Sequence, residues 1–179
     1  MLAAGTGRRY GMPKALAHDG LWLRRALDAL YDGGCDPVRV VVGARAEEVT
    51  RLLPRPELAV VAADWHTGIA ASLRAGLSTL AQLSPELSAA LVHLVDLPDV
   101  GAAVVRRIAA AANPDALARA SYHGRPGHPV LLGRAHWAAV SQSVSGDRGA
   151  GLWLAGRGEL SLIECGDLAH GRDVDTPLS

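Results

Sequence analysis

The chain has 179 residues, of which 49% are hydrophobic and 20% are charged, a balance typical of one globular domain and not of a disordered segment. Its formal net charge is +0, so no overall basic field draws it to nucleic acid or to an anionic membrane, and any anion site has to be local. Two cysteines without metal-ligand spacing and the lack of a long apolar run predict a cytoplasmic protein.

The first predicted element is a short apolar strand at residues 1–4, which leads into a glycine-rich loop. The stretch LAAGTGRRYGMPK, residues 2–14, contains three glycines, two adjacent arginines and a lysine. Glycine permits positive φ and lets backbone N–H groups approach a ligand, and successive N–H groups form a concave nest that suits phosphate oxygens. Because Arg8, Arg9 and Lys14 add positive charge around that nest, the loop is predicted to hold a nucleoside triphosphate.

Lys14 is unusual because 17 of the 18 basic residues are arginine. Because the chain uses arginine at every other basic position, the single lysine indicates a position that needs a compact ammonium group instead of a planar guanidinium. Lys14 is therefore predicted to be functional.

Alternating helices and strands follow the loop. A helical period over 22–31 ends at Gly33 and Gly34, and further helices are predicted at 46–53, 68–83 and 104–112. Nearly continuous apolar runs predict strands at 38–43, 58–63 and 89–95. This alternation predicts a parallel sheet covered on both faces.

Beyond residue 116 the pattern loosens. Strands are predicted at 116–122 and 129–132, on either side of the turn HGRPGH, and a helix at 134–143. The segment 146–156 is a loop that runs into another helix, and a last strand covers 160–165. Without repeats or a linker, residues 1–179 are predicted to form a single α/β domain, Rossmann-like and three-layered, with a mostly parallel central sheet.

Ligands of open α/β sheets bind outside the carboxyl ends of the strands. Gly5, Asp64 and Asp96 each follow a predicted strand. We therefore expect the glycine loop and the two carboxylates to share one rim of the sheet.

Two familiar phosphate-binding motifs do not fit the loop. A Walker A motif requires G-x-x-x-x-G-K-[ST], whereas Lys14 follows Pro13 and Ala15 replaces the magnesium-binding hydroxyl. Gly11 comes one place too late for a G-x-G-x-x-G dinucleotide fingerprint. A plain glycine turn would explain the glycines but not the three basic side chains.

The loop resembles the signature of nucleotidyltransferases of the molybdopterin-guanine-dinucleotide synthase type, and it is most similar to the pattern LAAGxGxRMGxPKxLL of molybdenum cofactor cytidylyltransferases. Four further stretches match in order: WHTGIAASLRAG (65–76), VDLPDV (95–100), GRPGHPVLL (124–132) with SGDRGAG (145–151), and DVDTP (173–177). The resemblance covers essentially the whole chain and implies a domain of the nucleotide-diphospho-sugar transferase type.

The resemblance implies a Mg²⁺-dependent transfer of CMP, or another nucleoside monophosphate, from a nucleoside triphosphate to the terminal phosphate of molybdopterin cofactor, with release of pyrophosphate. A phosphate nucleophile is already an anion, so catalysis consists of positioning and charge neutralisation, without a general base. The lack of a G-x-S-x-G elbow and of HExxH agrees with this chemistry. A molybdoenzyme or its chaperone is the implied protein partner. Transfer to a sugar phosphate or another phosphorylated acceptor, and a non-catalytic nucleotide-binding module, remain alternatives.

The resemblance also assigns roles to single residues. The predicted catalytic residues are Lys14, Arg9 and Asp96, and the predicted metal ligands are Asp96 and Asp175, with Asp173 as an alternative to Asp175. The predicted nucleotide-binding residues are Leu2, Ala3, Ala4, Gly5, Gly7, Arg8, Lys14, Gly68 and Ser72. The predicted acceptor-binding residues are Gly127, His128, Asp147 and Arg148. The remaining histidines are interpreted as structural or surface residues, among them His18, His93, His136 and His170.

Ala4 carries the prediction of the base. It matches the cytidylyltransferase pattern, whereas guanylyltransferase relatives have a second glycine there, and one methyl group beside a base is worth only ~1 kcal/mol. Leu97 and Gly151 depart from the family pattern, in which Gln and Arg are common.

Overall fold

The computed structural model describes residues 1–176, so Pro177 of the DVDTP stretch lies outside the described residues. Within that range the strands are β1 (Val40–Val42), β2 (Ala59–Val61), β3 (Ala89–Val92), β4 (Leu117–Tyr122), β5 (Arg125–Gly133) and β6 (Ser161–Glu164). The α-helices are α1 (Ala17–Asp32), α2 (Ala46–Arg51), α3 (Ile69–Leu83), α4 (Ala102–Ala109), α5 (Trp137–Ser143) and α6 (Gly151–Ala155). No helix in this range is both long and apolar enough to cross a membrane.

The N-terminal segment joins two groups of strands into one sheet. β1 pairs in parallel with β2, and β3, β5, β4 and β6 follow one another in a second group. Leu2 lies between them and bridges in parallel to Val41 on one side and to Leu94 on the other. The backbone N–H of Leu2 donates to the carbonyl of His93 at 2.8 Å, and that of Ala3 donates to Val41 at 2.9 Å. The predicted first strand therefore occupies the centre of the sheet.

The predicted mostly parallel sheet is confirmed, with one reversal. β5 pairs antiparallel with both β3 and β4, whereas β4 pairs in parallel with β6. Among the described strands β5 alone runs against the others. The reversal follows from a two-residue turn in which His123 and Gly124 both have positive φ (52° and 77°), the conformation that suits a tight hairpin.

Helices cover both faces of the sheet, which gives the predicted three layers. On one face α1 packs on β1 and α2 through Leu23, Leu27 and Val49, and α4 lies beside α1. On the other face α3 and α5 pack on the second group of strands through Leu77 and Val140. The face that carries α3 and α5 also borders the site described below.

Several predicted boundaries were wrong. The predicted turn HGRPGH is shorter than expected, because only its first two residues turn and β5 already begins at Arg125. The predicted strand at 58–63 is shorter, because Pro56–Leu58 forms a 3-10 turn before β2. α1 starts before 22, although His18, Asp19 and Gly20 have left-handed φ values, so its regular part does coincide with the predicted period.

Candidate active site

A cleft of about 420 Å³ opens at the carboxyl ends of the N-terminal segment and β3. Loop residues from the glycine-rich stretch form one wall, and the start of α3 forms another. Thirteen of the predicted site residues line this cleft: Leu2, Ala3, Ala4, Gly5, Gly7, Arg8, Arg9, Lys14, Gly68, Ser72, Asp96, Asp147 and Asp175. The structure therefore brings together the whole predicted nucleotide-binding set and both predicted metal ligands.

The glycine loop closes on itself before it reaches Lys14. The N–H of Gly11 donates to the carbonyl of Gly7 at 2.8 Å. Gly7 has φ +61°, and a Cβ at this position would overlap the backbone carbonyl of Met12. A side chain is excluded there on both counts. Pro13 then leads into a 3-10 turn whose first residue is Lys14, which returns the chain to the cleft.

Lys14 links two of the predicted acidic residues. Its Nζ donates to Asp96 Oδ2 and to Asp175 Oδ1, each at 2.8 Å. Burial alone would lower the pKa of Lys14, but the hydrogen bonds to Asp175 and Asp96 outweigh burial and leave this pKa above its ordinary value. Arg9 donates to the other oxygen of Asp175 at 3.0 Å. Lys14 and Arg9 together hold the pKa of Asp175 below its ordinary value.

Asp96, Asp173 and Asp175 form a carboxylate cluster, in which one oxygen from each lies within 4.8 Å of the others. The cluster exists because the segment after β6 returns to the end of β3, where the N–H of Val174 donates to the carbonyl of Asp96 at 3.1 Å. Oxygen ligands of this kind suit hard divalent cations such as Mg²⁺ and Mn²⁺. The donor set fits a metal, and it includes Asp173, which the sequence offered only as an alternative to Asp175.

The entry to α3 is fixed by close backbone contact with the loop that contains Asp147. Gly68 has φ +118°, and a Cβ there would overlap the carbonyl group of Gly146. The N–H of Ala70 donates to that same carbonyl at 3.1 Å. Ser72, one turn further, is buried and lines the cleft. The WHTG and SGDRG stretches therefore form one corner of the site.

A second, smaller cavity of about 190 Å³ adjoins the cleft and shares Leu2, Ile69 and Asp147 with it. His128, from the predicted acceptor-binding set, lines this cavity and not the main cleft. Burial lowers the pKa of His128, and its Nδ1 lies 3.4 Å from the carbonyl of Val92. Arg119 of β4 also lines the cavity.

Two predicted acceptor residues lie elsewhere. Gly127 lines neither cavity, and a Cβ at this position would point into the ring of Tyr122. Arg148 is exposed and also lines neither cavity. Asp64, expected on the same rim, does not line the cleft, and its carbonyl accepts from Thr67.

Trp65, His66 and Arg119 are among the lining residues that the sequence did not predict. Trp65 and His66 begin the WHTG stretch, so their place in a matched motif was the available signal. Arg119 belongs to no matched stretch. Its role as a lining residue follows from the pairing of β4 with β5, opposite Val130, which the sequence pattern does not specify.

The chain is similar to known proteins in both sequence and structure. A family model described as MobA-like NTP transferase domain matches residues 1–162. The nicotine blue oxidoreductase of Paenarthrobacter nicotinovorans is 36% identical over 188 residues, which cover 98% of this chain and 90% of that protein.

Solved structures show the same fold. The crystal structure of Rv0371c from Mycobacterium tuberculosis matches with a TM-score of 0.79 and 28% identity, over 98% of this chain and 90% of that one. A structure of Rv0371c in complex with manganese matches with a TM-score of 0.72 and 26% identity, over 92% and 85% of the two chains.

Proposed function

The chain belongs to the MobA-like NTP transferase family, and from this premise we propose that it transfers CMP from CTP to the terminal phosphate of molybdopterin cofactor, with Mg²⁺ as its metal. The observation that carries the proposal is the contact of Lys14 with Asp96 and Asp175 on the wall of the cleft that the glycine loop also lines. This wall combines a point charge for phosphate with oxygen ligands for a cation.

In the proposed reaction, one bond forms and one bond breaks at the α-phosphorus of CTP. An oxygen of the acceptor phosphate attacks that phosphorus, and the bond to the bridging oxygen of the β-phosphate breaks, so pyrophosphate leaves with the bonding electrons. A divalent cation on Asp96, Asp173 and Asp175 would neutralise charge on the phosphates. Because the nucleophile is an anion, the chain's own residues need to position and neutralise, and no proton has to be moved.

Lys14, Arg8 and Arg9 are the cations that line the cleft and would face the triphosphate. Arg9 is mostly exposed, with 77% of its side chain accessible, whereas Lys14 has 14%. A half-buried charge acts in a lower effective dielectric than an exposed one, so Lys14 would contribute more to stabilising the transition state. We therefore assign the main catalytic charge to Lys14 and a supporting role to Arg9.

The choice of CTP is supported by the wall beside Ala4. A Cβ at Gly43 would lie 2.9 Å from the Cβ of Ala4 and 2.5 Å from the side chain of Trp65. The methyl group of Ala4 and the indole of Trp65 thus pack against the same glycine, and both residues line the cleft. A methyl group contributes ~1 kcal/mol to discrimination, so the preference for CTP over GTP should be about fivefold to tenfold.

A second function is supported by the relative named nicotine blue oxidoreductase. On this alternative the cleft would hold a redox cofactor and the chain would transfer electrons to a dye-like substrate. The carboxylate cluster beside Lys14 favours phosphate transfer, because a hydride transfer needs no divalent cation at that position. The solved manganese complex of Rv0371c also supports a metal-dependent reaction.

The two functions are separated by their products. Purified protein is incubated with MgCl₂ and each common nucleoside triphosphate, with and without molybdopterin cofactor, and pyrophosphate is measured. We expect release that depends on the acceptor and is fastest with CTP. In parallel, oxidation of NADH and NADPH in the presence of a quinonoid dye is followed at 340 nm, and we expect none above background.

Two aspartate variants provide the matched comparison. Asp96→Ala should abolish metal-dependent release while the protein stays folded, because Asp96 is half-buried at the rim and not in the core. Asp64→Ala, at an exposed aspartate that does not line the cleft, should behave as the parent. If no nucleoside triphosphate gives pyrophosphate with any acceptor, or if dye-dependent oxidation of NADH is found instead, the proposal is wrong.

A further inference from the structure

Two of the three carboxylates in the cluster come from a segment of irregular backbone. Asp173 and Asp175 belong to residues 166–176, which contain neither a helix nor a strand and which we call the strap. Asp96 instead follows β3 and the bridge of Leu94 to the N-terminal segment. Ligands on irregular segments are placed less precisely than ligands on strands or helices, unless further contacts hold the segment. The contacts of the strap therefore decide whether the three carboxylates can meet at one cation.

Asp99 connects the strap to the turn that follows Asp96. Its Oδ2 accepts from the backbone N–H of His170 at 2.7 Å and from that of Gly171 at 3.1 Å. The donors lie 71 and 72 residues away in the chain, so these are tertiary contacts that fix the path of the strap. A carboxylate that accepts from N–H groups makes charge-assisted hydrogen bonds, which are stronger than hydrogen bonds between neutral groups.

The turn that carries Asp99 is itself anchored in the core. Leu97 and Val100 are 4% and 3% exposed, and both belong to a buried apolar cluster. The N–H of Val100 donates to the carbonyl of Leu97 at 3.1 Å, which closes the turn. One rigid turn therefore supplies the metal ligand Asp96 and, through Asp99, the support for the segment that supplies the other two ligands.

The strap is held again between Asp99 and the cluster. Gly171 has φ +62°, and a Cβ at this position would overlap the ring of Tyr122, so the strap passes the ring more closely than a residue with a side chain could. Three residues further on, the N–H of Val174 donates to the carbonyl of Asp96 at 3.1 Å. The two carboxylates of the strap flank Val174, so both ends of the short stretch that carries them are bonded to the same turn.

Asp99 differs from the basic residues that also hold the strap. Lys14 and Arg9 donate to the carboxylate of Asp175, so a cation on this carboxylate would compete with them. Asp99 bonds only to backbone N–H groups of the strap and leaves the oxygens of the cluster free. Its support is therefore available both before and after a cation binds.

We propose that Asp99 is a positioning residue for the divalent cation, which keeps Asp173 and Asp175 within reach of Asp96. This inference rests on the proposed function, which assigns a divalent cation to the cluster. Asp99 lines neither the cleft nor the small cavity, so it acts through the ligands and not on the substrates. Partners that orient metal ligands in this way typically change metal affinity by ~10- to 100-fold when they are removed.

The first test measures metal binding by the nucleotide-free protein and does not depend on turnover. MnCl₂ is titrated with the parent, Asp99→Ala and Asp99→Asn, and unbound Mn²⁺ is followed by its electron paramagnetic resonance signal. We expect Asp99→Ala to bind Mn²⁺ ~10- to 100-fold more weakly than the parent. Asp99→Asn loses the same charge but keeps an oxygen that accepts from N–H groups, so it should recover most of the affinity.

The second test reports the position of the strap without a metal. Arg172 is exposed and lies between the residues bonded to Asp99 and the cluster, so trypsin cleavage after Arg172 releases residues 173–179. We expect mass spectrometry to detect this peptide about 10-fold sooner from Asp99→Ala than from the parent, the scale of one lost charged hydrogen bond. Asp115→Ala, at an exposed aspartate that lines neither cavity, is the control and should match the parent in both tests.

Melting temperatures show whether each variant is folded. If Asp99→Ala does not fold, Asp99→Glu takes its place, because it keeps the charge and moves the acceptor oxygens by one methylene group. Asp99→Glu should then bind Mn²⁺ more weakly than the parent, and equal affinity would overturn the positioning role.

The outcomes distinguish this inference from the proposed function. Parental Mn²⁺ affinity in Asp99→Ala, or parental cleavage after Arg172, overturns the role of Asp99 and leaves nucleotidyl transfer standing. Binding by Asp99→Asn that is as weak as that of Asp99→Ala assigns the effect to charge and also overturns positioning. A parent that binds no Mn²⁺ overturns the inference, and pyrophosphate release still decides the transfer. Variants that behave as expected, with no pyrophosphate from any nucleoside triphosphate, support the inference and contradict the proposed function.

Discussion

Replacing Lys14 by methionine removes a charge while most of the side-chain stem remains. In the parent, Lys14 Nζ lies 2.8 Å from both Asp96 Oδ2 and Asp175 Oδ1. Asp173 contributes a third carboxylate to the same cluster. In Lys14→Met these carboxylates lose their nearest cation, so the metal-free protein should be less stable.

The size of the effect follows from the exposure of the Lys14–Asp96 pair, whose side chains are 14% and 17% accessible. Removing one partner of a fully buried pair costs ~3–5 kcal/mol, and a fully exposed pair contributes ~0–1 kcal/mol. For this intermediate exposure we expect a loss of about 1–2 kcal/mol, which lowers the melting temperature of a domain of this size by about 2–8 °C.

Lys14 has a raised pKa, so its contribution to stability is fully present below its ordinary value of 10.5 and is lost as pH rises through the raised pKa. Asp175 has a lowered pKa, so its contribution is present above 3.8 and is lost as pH falls through the lowered pKa. Between these two pH limits, the difference in the free energy of unfolding between the parent and Lys14→Met should not change with pH. Below the lower limit and above the upper limit, this difference should become smaller.

Adding a divalent cation tests whether Lys14 acts as a counter-ion for the carboxylates or only as a packing residue. Without Lys14 the carboxylates should bind Mn²⁺ more tightly, and a ligand that binds only the folded state stabilises it in proportion to RT ln(1 + [L]/Kd). Saturating MnCl₂ should therefore raise the melting temperature of Lys14→Met more than that of the parent. Nucleotidyl transfer by Lys14→Met should fall by about 10²–10³, the loss seen when one oriented charge-stabilising donor is removed.

Lys14→Arg is the matched control. It keeps the charge, so its metal-free stability should lie near that of the parent, while its activity should fall because a planar fork replaces a compact ammonium. Equal melting temperatures for Lys14→Met and the parent, with equal gains from MnCl₂, would refute the counter-ion argument. Turnover by Lys14→Met at the rate of the parent would refute the assignment of the main charge.

Three further predictions test other parts of the fold. Gly68→Ala should destabilise the protein by about 1–3 kcal/mol in urea titrations. Gly68 has φ +118°, and a Cβ at this position would overlap the carbonyl of Gly146. Gly101→Ala, at a glycine with open space around it, should leave the stability unchanged. Glu164 accepts hydrogen bonds from Ser121 and from backbone N–H groups, which lower its pKa to about 2. Glu164→Gln should therefore destabilise the protein clearly at pH 6, and progressively less as pH falls from 4.5 towards 2. A stability difference between variant and parent that does not change with pH would contradict this. His93 is buried without a hydrogen-bond partner among the described residues, and burial lowers its pKa to about 3. His93→Leu should therefore be at least as stable as the parent at pH 7 and increasingly more stable than the parent as pH falls from 6.5 towards 3. A loss of stability in His93→Leu would indicate a hydrogen-bond partner for the ring.

Local patterns predicted the elements that form the core. The helical period assigned to 68–83 corresponds to α3 at Ile69–Leu83, because its apolar face is continuous and no glycine or proline ends it early. The N-terminal apolar residues were predicted as a strand, and Leu2 indeed bridges two neighbours. The carboxyl-end rule then placed the glycine loop and Asp96 at one cleft, because parallel strands present their ends on the same edge.

The remaining features depend on pairings that no local pattern specifies. The direction of β5 depends on the two positive-φ residues His123 and Gly124, and the sequence HGRPGH is equally compatible with a longer turn. Asp173 joins the carboxylate cluster because Val174 bonds to Asp96 across 78 residues of chain. Arg119 was missed for the same reason, since its place in the cavity is set by neighbouring strands.

Basic side chains of the chain itself already neutralise part of the charge of the carboxylate cluster. Lys14 and Arg9 occupy the oxygens of Asp175, and Lys14 also occupies one oxygen of Asp96. On the proposed function, a divalent cation bound to these carboxylates would compete with both side chains and free them for the phosphates of the nucleotide. Metal and triphosphate would then each favour binding of the other, because the cation supplies the charge that the carboxylates lose and the triphosphate supplies the anion that Lys14 and Arg9 lose. A protein with no net charge can bind a highly charged substrate in this way. The basic side chains that neutralise the carboxylates in the free protein would neutralise the phosphates in the complex, and the cation would take their place at the carboxylates.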